Sequence, residues 1–84
     1  MNKKIDSKKI LKNIMDLLIN KGVPRNKINN KYNFVESKDL DSLNIILFVT
    51  EIEKKYSIKF KKNDLFKKKF QSIEGLSKII KDLI

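Results

Sequence analysis

Apolar positions recur at three- and four-residue steps in three stretches of the chain, and each stretch predicts an amphipathic helix. The first runs from about Asp6 to Asn20, where Ile10, Leu11, Ile14, Met15, Leu17 and Leu18 make one stripe and Asp6 or Ser7 supplies a cap. It stops at Lys21-Gly22 with Pro24 just beyond. Glycine takes the left-handed residue that closes a helix, and proline cannot continue one. The second runs from about Asp41 to Tyr56. At about 100° per residue, Ile45, Phe48, Val49, Ile52 and Tyr56 share a face. The last runs from the cap Ser72 to about Leu83, with Ile73, Leu76, Ile79, Ile80 and Leu83 as its stripe. Gly75 lies inside it at a cost of about 1 kcal/mol against alanine, a position that suits close packing. A shorter helix from Asp64 to about Phe70, capped by Asn63, would turn Leu65, Phe66 and Phe70 inward after the extended link Ser57-Ile58-Lys59-Phe60.

Between the first two helices, residues 22–40 have no period. Connections this long are uncommon in compact domains and are often functional. Val23, Ile28, Tyr32, Phe34, Val35 and Leu40 are spread along it, so it is expected to be pinned to the core, with Phe34 as the main anchor. The sum is an all-α single domain over residues 1–84. It is a small four-helix bundle, three longer helices plus one short, with a long loop between helices one and two.

One face is left over. Leu43, Leu47 and Thr50 lie opposite the core stripe of the second helix, with Ile46 between them. A helix in so small a bundle buries one face, so this strip is either exposed for a partner or covered by the loop. Ser42 stands beside it, where the loop becomes the helix.

Composition removes several chemistries. The 84 residues include no cysteine and no histidine, which excludes disulfides, thiolate metal sites and a Ser-His-Asp triad. No apolar run approaches the ~20 residues of a membrane span, and the N-terminus opens into an amphipathic pattern and not a signal-peptide core. A soluble cytoplasmic protein is the expectation. The formal charge is +10, but Lys, Asn and Ile supply 41 of the 84 residues, the bias that AT-rich codons produce. Arg25 is the one arginine among twenty basic residues, although nucleic-acid recognition draws heavily on arginine's planar fork. The charge is also uneven. Residues 36–56 hold five acids against three lysines, and that acidic stretch contains Ser42.

The residues Phe34-Val35-Glu36-Ser37-Lys38-Asp39-Leu40-Asp41-Ser42-Leu43 resemble an acyl carrier protein or a related aminoacyl or peptidyl carrier. In that family Asp-Ser-Leu opens the second helix. Here the motif falls about halfway along the helical pattern, with an aromatic residue eight positions before the serine. The likeness extends over Glu53-Lys54-Lys55-Tyr56-Ser57-Ile58 and Ser72-Ile73-Glu74. It implies that Ser42 carries 4'-phosphopantetheine and that Asp41 supports its attachment. It also implies a monomer that is not an enzyme: its cargo rides as a thioester on the arm, and partner enzymes do the chemistry. Those partners would be a phosphopantetheinyl transferase, an acyl- or aminoacyl-loading ligase, and a downstream transferase or synthase of lipid or secondary-metabolite biosynthesis. Leu43, Ile46, Leu47 and Thr50 would form the docking strip, with Glu36, Asp39, Asp41 and Glu51 around it.

The chain departs from the family where a glycine often precedes the motif, since Lys38 and Asp39 occupy that stretch. It reads Asp-Leu-Asp-Ser-Leu where fatty-acid carriers read Gly-Ala-Asp-Ser-Leu, and so looks more like stand-alone D-alanyl or aminoacyl carriers. Asn44 and Leu47 stand at positions that are often acidic, which implies different partners. The alternative is a basic helical module for nucleic acid or an anionic surface, using Lys59, Lys61, Lys62 and Lys67 to Lys69. The carrier assignment expects no nucleic-acid partner, no membrane span and no metal.

Overall fold

The computed structural model describes residues 6–65 and 67–84. Three helices carry the architecture: α1 (Ser7–Asn20), α2 (Ser42–Tyr56) and α4 (Ile73–Leu83), with a single-turn helix α3 (Lys62–Leu65) before the last. Arg25–Lys27 and Lys68–Gln71 form 3-10 turns. Among the described residues there is no strand, only an isolated antiparallel bridge between Asn33 and Ser72.

The α1 boundaries follow from local chemistry. Asp6 caps it by accepting the Lys8 N–H at 3.2 Å. At the other end Gly22 takes φ +109, the Gly22 N–H donates to the Ile19 carbonyl, and the Val23 N–H donates to Leu18, both at 3.0 Å. This pair of bonds is the Schellman closure, and the hydrophobic residue that follows it, Val23, is buried with Leu18 in the core.

The buried faces match the apolar stripes. Ile10, Ile14 and Leu18 of α1, Phe48 and Ile52 of α2, and Ile73, Leu76 and Ile80 of α4 are fully enclosed. Leu83 is a correction to the expected stripe, because it is 41% exposed in the last turn of α4.

The long loop is anchored as its apolar residues require. Phe34 is completely buried, and its ring meets Phe48 of α2 edge-on at 5.0 Å and Phe70 at 6.1 Å. The loop backbone also satisfies the start of α4. The Ile73 N–H donates to the Tyr32 carbonyl at 3.1 Å, and the Glu74 N–H donates to Asn30 at 2.8 Å. The Ser72 hydroxyl then accepts the Gly75 N–H at 3.0 Å. Three of the orphan donors of a helix start are thereby paired.

The third helix differs from expectation. It begins at Lys62 and ends at Leu65, so Asn63 lies inside it and is not its cap. Asp64 instead reaches back to the Lys61 N–H at 3.0 Å, in the manner of a capping box. Lys67 is extended (φ −81, ψ 135), which breaks the helix before Phe70. The break lets Phe70 enter the aromatic cluster and stack edge-on with Phe60 at 5.0 Å. Phe66, expected to face inward, lies outside the described residues, as do the side chains of Leu65 and Lys62. The result is a mostly helical domain in which three longer helices surround one core.

Candidate functional site

Asp41 has extended backbone, and its carboxylate accepts the Asn44 N–H at 2.8 Å while its carbonyl accepts the Ile45 N–H at 3.0 Å. Asp41 is therefore the cap of α2, and Ser42 is its first helical residue. Ser42 is exposed, and no acid occupies the first turn of α2. The positive end of the helix dipole and the leading N–H groups face the space around this serine, an arrangement that favours an attached anion.

The backbone before it is unusual. Lys38 sits at φ 65, in the left-handed region that glycine adopts most readily. The expected glycine is absent from the sequence, yet the chain makes a glycine-like turn four residues before the serine. An Asx-type turn leads into it: Asn33 Oδ1 accepts the N–H groups of Val35 at 2.9 Å and Glu36 at 2.7 Å.

A polar clamp then fixes the last part of the loop. The Tyr32 hydroxyl donates to Asp39 Oδ2 at 2.8 Å and lies 2.8 Å from Ser37 Oγ. Lys27 Nζ donates to the other Asp39 oxygen at 2.9 Å. The hydrogen bonds from Lys27 and Tyr32 hold the Asp39 carboxyl below its usual range. Burial, reinforced by the adjacent Asp39 carboxylate and opposed by the Ser37 hydrogen bond, pushes the Tyr32 phenol up to about 12. Tyr32 is expected to pin the loop, but its hydrogen bond to Asp39 and the Lys27–Asp39 pair leave no spacing signal, because they join residues seven and twelve positions apart in an aperiodic loop.

The apolar strip of α2 is open. Leu43 is 63%, Ile46 60% and Leu47 41% exposed, so the loop does not cover them. Thr50 is also exposed, but its hydroxyl donates back to the Ile46 carbonyl at 2.8 Å, which leaves its methyl as the outward group. The acids expected around the strip are engaged. Asp39 pairs with Lys27 as above, Glu36 meets Lys68 at 3.1 Å, and Glu51 pairs with Lys21 of the α1 terminus. Glu53 accepts the Phe60 N–H at 2.8 Å and holds the link after α2. Of the acids expected around Leu43, Ile46 and Leu47, Glu36, Asp39 and Glu51 are thus paired with lysines, and Asp41 caps α2.

Beside the strip lies a cleft of about 300 Å³ lined by Val35, Ile45, Ile46, Val49, Thr50, Glu53, Phe60 and Phe70. It is largely apolar and runs between α2 and the segment that follows it. Phe48 and Phe70 are both buried in the core cluster, with Phe70 at the cleft wall.

The lysines of the alternative function are dispersed differently. Lys59, Lys61, Lys67, Lys68 and Lys69 are exposed, but Lys68 is turned to Glu36 and Lys67 lies 3.6 Å from Asp64. A shallow depression lined by Lys61, Lys67 and Lys69 also contains Asp64 and Asp82. Among the described residues no helix is long and apolar enough to cross a membrane.

No protein-family model matches this chain, and no curated protein matches it in sequence.

Proposed function

We propose that this chain is a carrier domain, a compact four-helix carrier arrangement with α3 as its short helix, that bears 4'-phosphopantetheine on Ser42. The observation that carries this is the placement of one exposed serine at the start of α2, next to an apolar face the core does not use. Three further features support it. Asp41 caps the helix and so leaves the serine hydroxyl outside it. Lys38 turns the loop through the left-handed region just upstream. The cleft along α2 offers apolar space of a size suited to a thiol arm or a short cargo.

In this function the attached arm supplies a terminal thiol, which a chain without cysteine lacks. The domain itself presents and orients. Ser42 provides the hydroxyl, Asp41 fixes the helix start, and the α2 N-terminus stabilises the phosphodiester. A phosphopantetheinyl transferase would load Ser42, a ligase would charge the thiol with an acyl or aminoacyl group, and a transferase or synthase would consume it. Docking of all three would fall on Leu43, Ile46 and Leu47. Because Glu36, Asp39 and Glu51 are already paired with lysines, partner contact would be led by apolar burial, with charge setting mainly encounter rate.

The test is intact mass after incubation with coenzyme A and a broad-specificity phosphopantetheinyl transferase. The wild-type chain gains one phosphopantetheine and Ser42→Ala gains none. A folded sample that gains nothing from an active transferase, or a gain retained in Ser42→Ala, rejects Ser42 as the attachment site. The runner-up, a basic module for nucleic acid, rests on the +10 charge and the exposed lysines 59, 61 and 67–69. It requires retention on heparin at low salt that falls steeply as salt is raised.

A further inference from the structure

A second groove lies away from α2. It is lined by Lys8, Leu11, Lys12, Met15, Asp16 and Ile19 of α1, and closed on its other side by Arg25, Ile28 and Asn30 of the loop, with a volume of about 340 Å³. The α1 residues follow the three- and four-residue steps of one helix face, and they span about 16 Å, three helical turns. Leu11, Met15, Ile19 and Ile28 are half-buried and make the floor, whereas Lys8, Lys12 and Arg25 are exposed at the rim. None of these residues belongs to the Ser42 site.

The charges of the rim are one-sided. Three cations face a single acid, Asp16, which Lys12 already engages at 3.1 Å. Among the described residues Lys8 and Arg25 have no ion pair. The first turn of α1 contains Lys8 and Lys9 and no acid. The carboxylate of the cap Asp6 already meets the helix start through the Lys8 N–H, so the Lys8 ammonium at the rim is the group left to an incoming acid. Arg25, the chain's one arginine, offers a planar fork suited to a carboxylate.

We propose that this groove docks an acidic amphipathic helix of a partner protein. The occupant would lay an apolar ridge spaced i, i+3 or i+4, i+7 on Leu11, Met15, Ile19 and Ile28. Its flanking glutamates or aspartates would meet Lys8, Lys12 and Arg25. The shallow, elongated floor favours a helix over a small ligand, which needs enclosure on most sides. The rim, with Lys8 and Arg25 outside any ion pair among the described residues, selects an acidic sequence. Such a contact would recruit the domain to a larger assembly while leaving Ser42 and the α2 strip free. It does not depend on Ser42 being modified.

The probe is a fluorescein-labelled 14-residue peptide with leucines on one helical face and glutamates on the others, read by anisotropy, with a scrambled peptide of identical composition as control. Micromolar binding of the amphipathic peptide is expected, with the scrambled one at least tenfold weaker. Met15→Glu and Arg25→Glu each weaken binding tenfold or more, whereas Lys68→Glu, on another surface, changes it less than twofold. Arg25 is exposed, so its variant keeps the test decisive if Met15→Glu fails to fold. Amide shifts in the 15N-labelled protein fall on α1 and residues 25–30. Equal binding of the scrambled peptide overturns the proposal, as does no binding at 100 µM or an unaffected Arg25→Glu. Displacement of the peptide by oligodeoxythymidylate at matching affinity also overturns it, by showing a general polyanion surface. Ser42→Ala binds the peptide like wild type, so failure here and failure of the carrier function are read separately.

Discussion

Gly75 is the position where a single methyl group should do most damage. A Cβ built there would lie 1.8 Å from the Lys69 carbonyl oxygen and 2.8 Å from its carbonyl carbon. Both neighbours are backbone, so no side-chain rotation relieves the contact. To reach even 3.0 Å the oxygen must retreat by 1.2 Å, and the 3-10 turn carrying it is held at two points. Phe70 is buried between Phe34 and Phe60, and the Gln71 carbonyl accepts the Phe34 N–H at 3.0 Å. Helix propensity argues the other way, since alanine is favoured over glycine by about 1 kcal/mol in a helix interior and less in the first turn. Overpacking against a fixed neighbour typically costs ~1–3 kcal/mol, and a backbone contact belongs at the upper end. Gly75→Ala should therefore destabilise by roughly 2 kcal/mol. With a urea m-value of about 1 kcal/mol/M for a chain of this size, the midpoint falls by about 2 M. Gly22→Ala makes a useful partner. Nothing lies within 4 Å of its Cβ, so its loss, about 1 kcal/mol, comes from the φ of +109 alone. A Gly75→Ala midpoint at or above wild type would refute the packing argument.

The exposed α2 strip predicts that Leu47→Glu leaves the urea midpoint within about 0.5 kcal/mol of wild type while slowing transferase loading of Ser42; unfolding would show that Leu47 supports the core. The left-handed Lys38 predicts that Lys38→Gly is neutral to stabilising by up to about 1 kcal/mol and that Lys38→Val is destabilising by about 1–2 kcal/mol, both measured by thermal or urea unfolding. The Tyr32 clamp predicts a pH dependence. Its folded-state pKa of about 12 lies above the 10.0 of a free tyrosine, so the neutral phenol is the form the fold prefers. Its contribution is complete below pH 10 and is lost as pH rises toward 12. Tyr32→Phe should flatten that alkaline limb relative to wild type. Asp39 acts with the opposite sign. Its lowered pKa makes its contribution present above about pH 4 and lost as acid protonates it, a limb that Asp39→Asn should remove.

The parts of the fold that rest on local spacing were legible in the residues. The stripes of α1, α2 and α4, the Gly22 stop and the caps Asp41 and Ser72 all depend on neighbours within four or five positions. Phe34 could be named as the loop anchor because it is the largest wholly apolar side chain among the apolar residues scattered through that stretch. The third helix was misplaced because Leu65, Phe66 and Phe70 have helical spacing. That pattern carries no record of the extended Lys67, whose reason lies in where Phe70 must go. At the site, the exposed serine and its apolar neighbours could be placed from the α2 periodicity. The ion pairs that engage Glu36, Asp39 and Glu51 could not, since their lysines come from Lys68, Lys27 and Lys21, twelve to thirty-two positions away. The left-handed Lys38 was hidden for another reason: lysine gives no hint of a positive φ.

The hydrogen bonds from Ile73 and Glu74 to the carbonyls of Tyr32 and Asn30 have a dynamic consequence. A surface connection of twenty-one residues, from 21 to 41, would ordinarily open on its own, many times for each global unfolding event. Here the middle of the connection cannot lift without stripping the first donors of α4, whose buried face belongs to the common core. The Ile73 and Glu74 amides should then exchange with solvent as slowly as the core of α4. The segment leading to Ser42 would belong to the same cooperative unit. The serine would then be presented on a platform that stays shut until the whole domain opens, and any movement needed at the site must come from the side chains of α2.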